Sequence, residues 1–142
     1  MSIAQIINVD NDIAKKLALK KGGRVIEVKV PNDREVEIRA KVNASMIQRA
    51  RIWDSAGKLH FEWEGRGKGR SIGTGSSLIT EGKLWISCMF NQYGGASWIN
   101  CDLNVAEGSD ESGNAKVTIR CEDGGERPGD WEDLVIELGW KI

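Results

Sequence analysis

The chain is poor in the residues on which much protein chemistry rests. It has one histidine and three cysteines in 142 residues, and 20 basic against 21 acidic side chains leave almost no net charge. A near-neutral chain argues against bulk attraction to nucleic acid or to an anionic membrane surface. No apolar run approaches the roughly 20 residues of a membrane span, so no membrane insertion is expected. The amino terminus, MSIAQIINVDNDIAKK, has no basic segment followed by a long apolar one. It therefore reads as lacking a secretory signal, which implies cytoplasmic synthesis and leaves non-classical export as the route outward. Cys88, Cys101 and Cys121 are odd in number and widely spaced. That pattern suits neither a disulfide framework nor a zinc site, and buried reduced thiols are expected.

The same scarcity bounds catalysis. His60 is the only candidate for a histidine base, and it alternates with Leu59 and Phe61 on an expected strand, where an outward surface position is the simpler reading. No cysteine sits beside a recognisable base. Glu62 and Glu64 lie two apart on one strand face, but nothing else supports a glycosidase pair. The run Gly65-Arg66-Gly67-Lys68-Gly69-Arg70 could cradle phosphate, yet it lacks the Gly-Lys-Ser/Thr ending of a phosphate loop and precedes no helix, so a solvated hairpin loop is expected there. The chain is not expected to be an enzyme.

What is present is β-structure. Asn11 or Asp12 could cap a short helix bearing Ile13, Ala14, Leu17 and Ala18 on one face, with Lys15, Lys16, Lys20 and Lys21 opposite and Gly22 as its stop. From Arg24 onward apolar residues alternate with polar ones. Val36, Ile38, Ala40 and Val42 form one inward face, and Leu84, Ile86 and Cys88 alternate with Trp85, Ser87 and Met89. Asp54-Ser55-Ala56-Gly57 marks a hairpin turn into Leu59, Phe61 and Trp63, and Tyr93-Gly94-Gly95 marks a further turn. Short strands punctuated in this way predict an all-β fold, an antiparallel β-sandwich of about nine strands spanning residues 24–142. Residues 1–23 read as an extension.

One stretch carries a concentrated charge. Glu122, Asp123, Glu126, Asp130, Glu132 and Asp133 crowd a loop offset only by Arg127, with Gly124, Gly125, Pro128 and Gly129 preventing a helix. Like charges so close need water or a cation to offset their repulsion. Oxygen ligands at irregular spacing suit a hard cation, calcium above all, although EF-hand spacing is absent. A solvated acidic turn is the alternative.

Taken together the residues resemble the calcium-mediated bacterial lectins typified by the fucose- and mannose-binding lectin of Pseudomonas. The likeness rests on Pro31 and Asn43 within PNDREVEIRAKVNAS, on Ile72-Gly73-Thr74 and Gly82-Lys83-Leu84, and on the ending EDGGERPGDWEDLVIELGW. It implies one or two calcium ions held by Asn43, Glu122, Asp130 and Asp133, with Glu126 and Glu132 at neighbouring ligand positions. It also implies that Asp123 accepts a hydrogen bond from a sugar hydroxyl, and that Ala44 and Ser45, with Met46, tune sugar choice, alanine favouring mannose. Glycans would be the partners. A homodimer or higher homo-oligomer would pair through Val135, Ile136, Leu138 and Trp140 of the last strand. The rival reading is a structural or interaction protein on the same fold with a degenerate metal site, to which Arg127 within the loop and the six tryptophans point. Of those tryptophans, Trp131 alone reads as loop-exposed.

Overall fold

The computed structural model describes residues 3–80, 82–91, 98–123 and 132–141. The order is β1 (Ala4–Asn8), α1 (Asn11–Leu17), β2 (Arg24–Lys29), β3 (Arg34–Asp54), β4 (Leu59–Ile79), β5 (Lys83–Asn91), β6 (Trp98–Asn100), β7 (Asp102–Ser109), β8 (Ala115–Glu122) and β9 (Leu134–Trp140). All pairings are antiparallel, and the strands run β1-β2-β5-β3-β9-β8-β7, with β4 on β3 and β6 on β5. The all-β expectation of about nine strands holds, although one of the nine, β1, lies in the amino-terminal extension.

β3 and β4 organise the rest. They form a paired ribbon of 21 residues each, far longer than an ordinary strand. Residues 37–42 of β3 pair with β9, and residues 47–54 pair with β5. The ribbon thus passes from one layer of the sandwich to the other, and register shifts between Val42 and Gln48 mark its corner. Bulges of this kind bend strands and let them switch sheets. The two halves of β4 then face each other. A Cβ on Gly75 would lie 2.7 Å from the Phe61 ring, and one on Gly73 would overlap the indole of Trp63. Glycine is needed there because the layers approach so closely. The run from Gly65 to Arg70, expected as a hairpin loop, is instead strand at this corner.

Period two sorts the first half of β3 as expected, whereas β5 is buried on both faces. Val36, Ile38, Ala40 and Val42 are buried in one layer beside Ile119, Leu134, Ile136 and Leu138, and Leu84, Ile86 and Cys88 are buried in the other. Each such side chain contributes roughly 1.5–3 kcal/mol of burial. On the far side, the carboxylate of Glu107 accepts the backbone N–H groups of Ile3 and Ala4 at 2.9 and 3.1 Å, joining β7 to the start of β1.

Residues 3–23 build onto the sandwich. β1 pairs with β2 along its whole length, and Val9 and Leu17 pack with Val25, Trp53 and Trp85 in a second cluster. This explains why β2 buries Val25 and Ile26 on opposite faces. The helix cap is Asp10, whose Oδ1 accepts Ile13 N–H at 2.9 Å, one residue before the expected Asn11 or Asp12. The helix ends at Ala18 in a left-handed conformation rather than at Gly22, since the Ala18 N–H already reaches the Ala14 carbonyl.

His60 departs from its expected outward position. Its side chain is 15% exposed, with Nε2 at 2.8 Å from Asp54 Oδ2 and Nδ1 at 2.5 Å from Ser77 Oγ. The cause is a register shift: Ile52 faces Phe61 but Trp53 faces Leu59, leaving His60 as the extra residue. Asp54 Oδ1 also accepts the N–H groups of Ala56 and Lys58, both at 3.0 Å. Burial disfavours the Asp54 charge, but the His60 hydrogen bond and these backbone donors outweigh it and hold the carboxyl below its ordinary range. Stability from a lowered carboxyl is present above the unfolded value and is lost as pH falls through the folded one. Asp54→Ala is therefore expected to cost about 1–2 kcal/mol at pH 7, narrowing towards pH 3. Urea unfolding at both pH values checks this, and an equal loss at both would exclude the charge as the cause.

Candidate functional site

The acidic cluster forms where three strands end or bend side by side. β8 closes at Glu122, β9 opens at Leu134, and β3 turns its corner just after Val42. Val42 pairs with Leu134, and Leu134 with Cys121. Asp133 is fastened to both neighbours: its N–H donates to the Cys121 carbonyl at 3.2 Å, and its carbonyl accepts Asn43 N–H at 3.1 Å. Its side chain turns back as well, with Oδ2 accepting Asp123 N–H at 2.8 Å. Carboxylate oxygens of Glu122, Asp123 and Asp133 consequently lie within 4.8 Å of one another, although Glu122 and Asp133 are each only 6% exposed.

That arrangement is costly without a cation. Burial pushes the Asp133 carboxyl up to about 7; the Asp123 N–H works against this, and the carboxylates of Glu122 and Asp123 add to it. Three hard oxygen donors, crowded and desolvated, are a donor set that a divalent cation would relieve, and calcium accepts such irregular geometry. The chemistry of the residues present fits the ion.

The expected site residues divide as follows. Glu122, Asp123 and Asp133 come together, and Asn43 joins them through its backbone. Ala44 and Ser45 follow Asn43 on the corner, where Ala44 pairs with Gly67 of β4 and Ser45 is exposed. Glu132 is exposed and stands outside the close trio. Glu126 and Asp130 lie outside the described residues, as do Trp131 and the Tyr93-Gly94-Gly95 turn. The face offered for dimerisation is largely used internally. β9 has neighbours on both sides and buries Ile136, Leu138 and Trp140 in its own core, so of the four residues only the half-buried Val135 remains for a second subunit.

Gln48 was not foreseen. It is fully buried, and its Nε2 donates to Asp123 Oδ2 at 2.9 Å and to the Met46 carbonyl at 3.2 Å, while its Oε1 lies 3.7 Å from Cys101 Sγ. It thereby ties the corner to the carboxylate cluster. Its signal in the sequence is phase: Gln48 shares the inward face with Ala50 and Ile52, where a buried amide needs partners. Gln48→Leu removes the hydrogen bonds that Gln48 donates to Asp123 and to the Met46 carbonyl. It is expected to destabilise the chain by about 1–3 kcal/mol, which chemical denaturation measures; a loss below about 0.5 kcal/mol would contradict the clamp.

Beneath the cluster, Cys88, Cys101 and Cys121 are free and buried. Burial and the two neighbouring thiols push Cys121 well up. At Cys101 the Cys121 hydrogen bond favours the thiolate, but burial and the charges of Cys88, Asp123 and Asp133 overcome it, leaving the thiol raised. Neutral, enclosed thiols are poor nucleophiles, in keeping with the reduced, unpaired state expected. Glu62 and Glu64 are exposed opposite Arg51 and Arg49 on β3.

The sequence profile of fucose-binding lectin II (PA-IIL) matches residues 28–142. Similar folds include a Chromobacterium violaceum lectin solved with α-methyl-fucoside and a Ralstonia solanacearum high-affinity mannose-binding lectin. Each has a TM-score of 0.68 and 17% identity, covering 82% of this chain and 96% of its own. The C-terminal domain of a Burkholderia cenocepacia lectin gives 0.68 at 19% identity, covering 82% and 95%. No curated protein sequence matches the chain.

Proposed function

Because the chain belongs to the fucose-binding lectin II (PA-IIL) family, we propose that it is a non-enzymatic carbohydrate-binding protein that takes mannose- or fucose-type sugars through calcium. The observation that carries this reading is the convergence of Glu122, Asp123 and Asp133 within 4.8 Å, beside the backbone of Asn43. When bound, calcium supplies open coordination positions at which vicinal sugar hydroxyls replace water.

The chain's own residues do the rest. Glu122 and Asp133 hold the cation, with the side-chain carbonyl of Asn43 on the corner and Glu126, Asp130 and Glu132 as further ligands, for one or two ions. Asp123, steadied by Gln48, accepts a hydrogen bond from a sugar hydroxyl. Ala44 and Ser45 border the sugar and bias its choice, a small alanine leaving room for mannose. A homodimer or higher homo-oligomer would multiply avidity for clustered glycans.

Thermal melts in calcium and in EDTA, followed by mannose and fucose titrations, test the reading. A ligand that binds only the folded chain raises the midpoint, so calcium should raise it and sugar should raise it further only when calcium is present. No shift at millimolar calcium would overturn the reading in favour of an interaction protein with a degenerate metal site.

A further inference from the structure

The corner that carries Asn43, Ala44 and Ser45 has a second, oppositely charged border. Ala44 pairs with Gly67 and Val42 with Arg70, so the run from Gly65 to Arg70 lies one strand away from the proposed sugar-selecting residues. Arg66, Lys68 and Arg70 are exposed, as is Lys41 on β3. A Cβ on Gly69 would lie 3.9 Å from Lys41 Cε, and Arg70 Nη1 donates to the Arg66 carbonyl at 3.4 Å. These four cations therefore cluster on one corner. Among the described residues none of them forms an ion pair, whereas Arg24, Arg39, Lys83 and Lys116 all do.

We infer that this rim selects glycans bearing an acidic substituent, a carboxylate, sulfate or phosphate, on the side of the sugar that faces β4. The inference rests on the proposed sugar site and names the class of ligand it prefers. Adjacent strands are about 5 Å apart, which puts the rim one spacing from Asn43 and two, roughly 10 Å, from the strand that begins beyond Asp133. A substituent over β4 is thus beside the cations and about a Debye length from the carboxylate cluster at physiological salt. Arginine and lysine donors meet such oxyanions with charge-assisted hydrogen bonds. A neutral sugar gains nothing from this border.

The test is calcium-dependent titration of mannose, mannuronate, mannose 6-sulfate and mannose 6-phosphate against the full chain and an R66A/K68A/R70A variant. Exposed ion pairs give at most about 1 kcal/mol, roughly fivefold, per contact. The acidic sugars are expected to bind about fivefold or more tightly than mannose, the three arms showing which oxyanion is favoured. The preference should fade at high salt and vanish in the variant, with mannose affinity unchanged. Equal affinity for neutral and acidic sugars, or a preference that survives the substitutions, overturns the inference alone. Absence of binding by every sugar overturns it together with the proposed function.

Discussion

Asp133→Asn is expected to remove the calcium response and, in the same step, to stabilise the metal-free chain above neutral pH. Both effects come from one carboxyl. In the unfolded chain Asp133 ionises near its ordinary value of 3.8, whereas in the folded chain burial, reinforced by Glu122 and Asp123, holds its proton to about 7. Between those values the folded chain binds more protons than the unfolded one. Stability therefore falls as pH rises across that window and levels off above it. Asparagine has no such proton to lose, and its carbonyl can still accept the Asp123 N–H that now reaches Asp133 Oδ2. The metal-free variant should melt higher than the parent at pH 8 and nearly level with it at pH 4.

Calcium reverses the comparison in the parent chain, because a cation at the trio favours the ionised form. At calcium a hundredfold above its dissociation constant the stabilisation is about 2.7 kcal/mol, or roughly 5–10 °C for a chain of this size. In Asp133→Asn that rise should disappear. Circular-dichroism melts at pH 5, 7 and 8, in EDTA and in calcium, give all the comparisons. A variant that keeps the calcium rise would remove Asp133 from the ligand set, and a variant that melts no higher than the parent at pH 8 would remove the electrostatic strain.

How far the sequence foretold this arrangement depends on which interactions are local. The inward set Val36 to Val42 follows from alternation alone, and the turn at Asp54 to Gly57 from its residue types; the Gly57 N–H does bond the Asp54 carbonyl, at 3.0 Å. In β5 alternation decides nothing, because Trp85 and Ser87 are buried as well as Leu84, Ile86 and Cys88. β2 was harder to read, since Val9 and the helix residue Leu17 from the amino-terminal extension pack on Val25, over the face that alternation assigns to water. The β3–β4 corner was not legible. Between Val42 and Gln48 the sequence has neither glycine nor proline to announce a bend, and the glycines that permit it lie on the partner strand, some twenty residues later in the chain. Charge density marked Glu122, Asp123 and Asp133 as a group, but their approach to Asn43 comes from pairing between β3 and β9. His60 turns inward because one extra residue reverses the phase of a strand, and no local pattern records that residue.

The largest structural effect should come from Gly73→Ala, a single added methyl group. Gly73 pairs with Ala40 in one layer and lies beneath Trp63 in the other, and its Cβ would overlap the indole. Trp63 has little freedom to yield, being stacked on Phe61 with centroids 4.9 Å apart, and Phe61 in turn sits against Gly75. Overpacking of this kind costs about 1–3 kcal/mol, and an overlap with a wedged ring belongs at the upper end. The same contact holds the folded ribbon closed, so some of the cost should appear as a looser corner around Asn43 to Ser45 and a smaller calcium response. Trp63→Leu supplies the control. It leaves space where the methyl group would go, and a double-mutant cycle should give a favourable coupling of at least about 1 kcal/mol between the two changes. Additive losses in urea unfolding would mean that Gly73 is required for its own backbone rather than for the ring above it. Coupling would instead identify the glycine–tryptophan contact as what lets β4 lie across both layers and so brings the corner to the carboxylates.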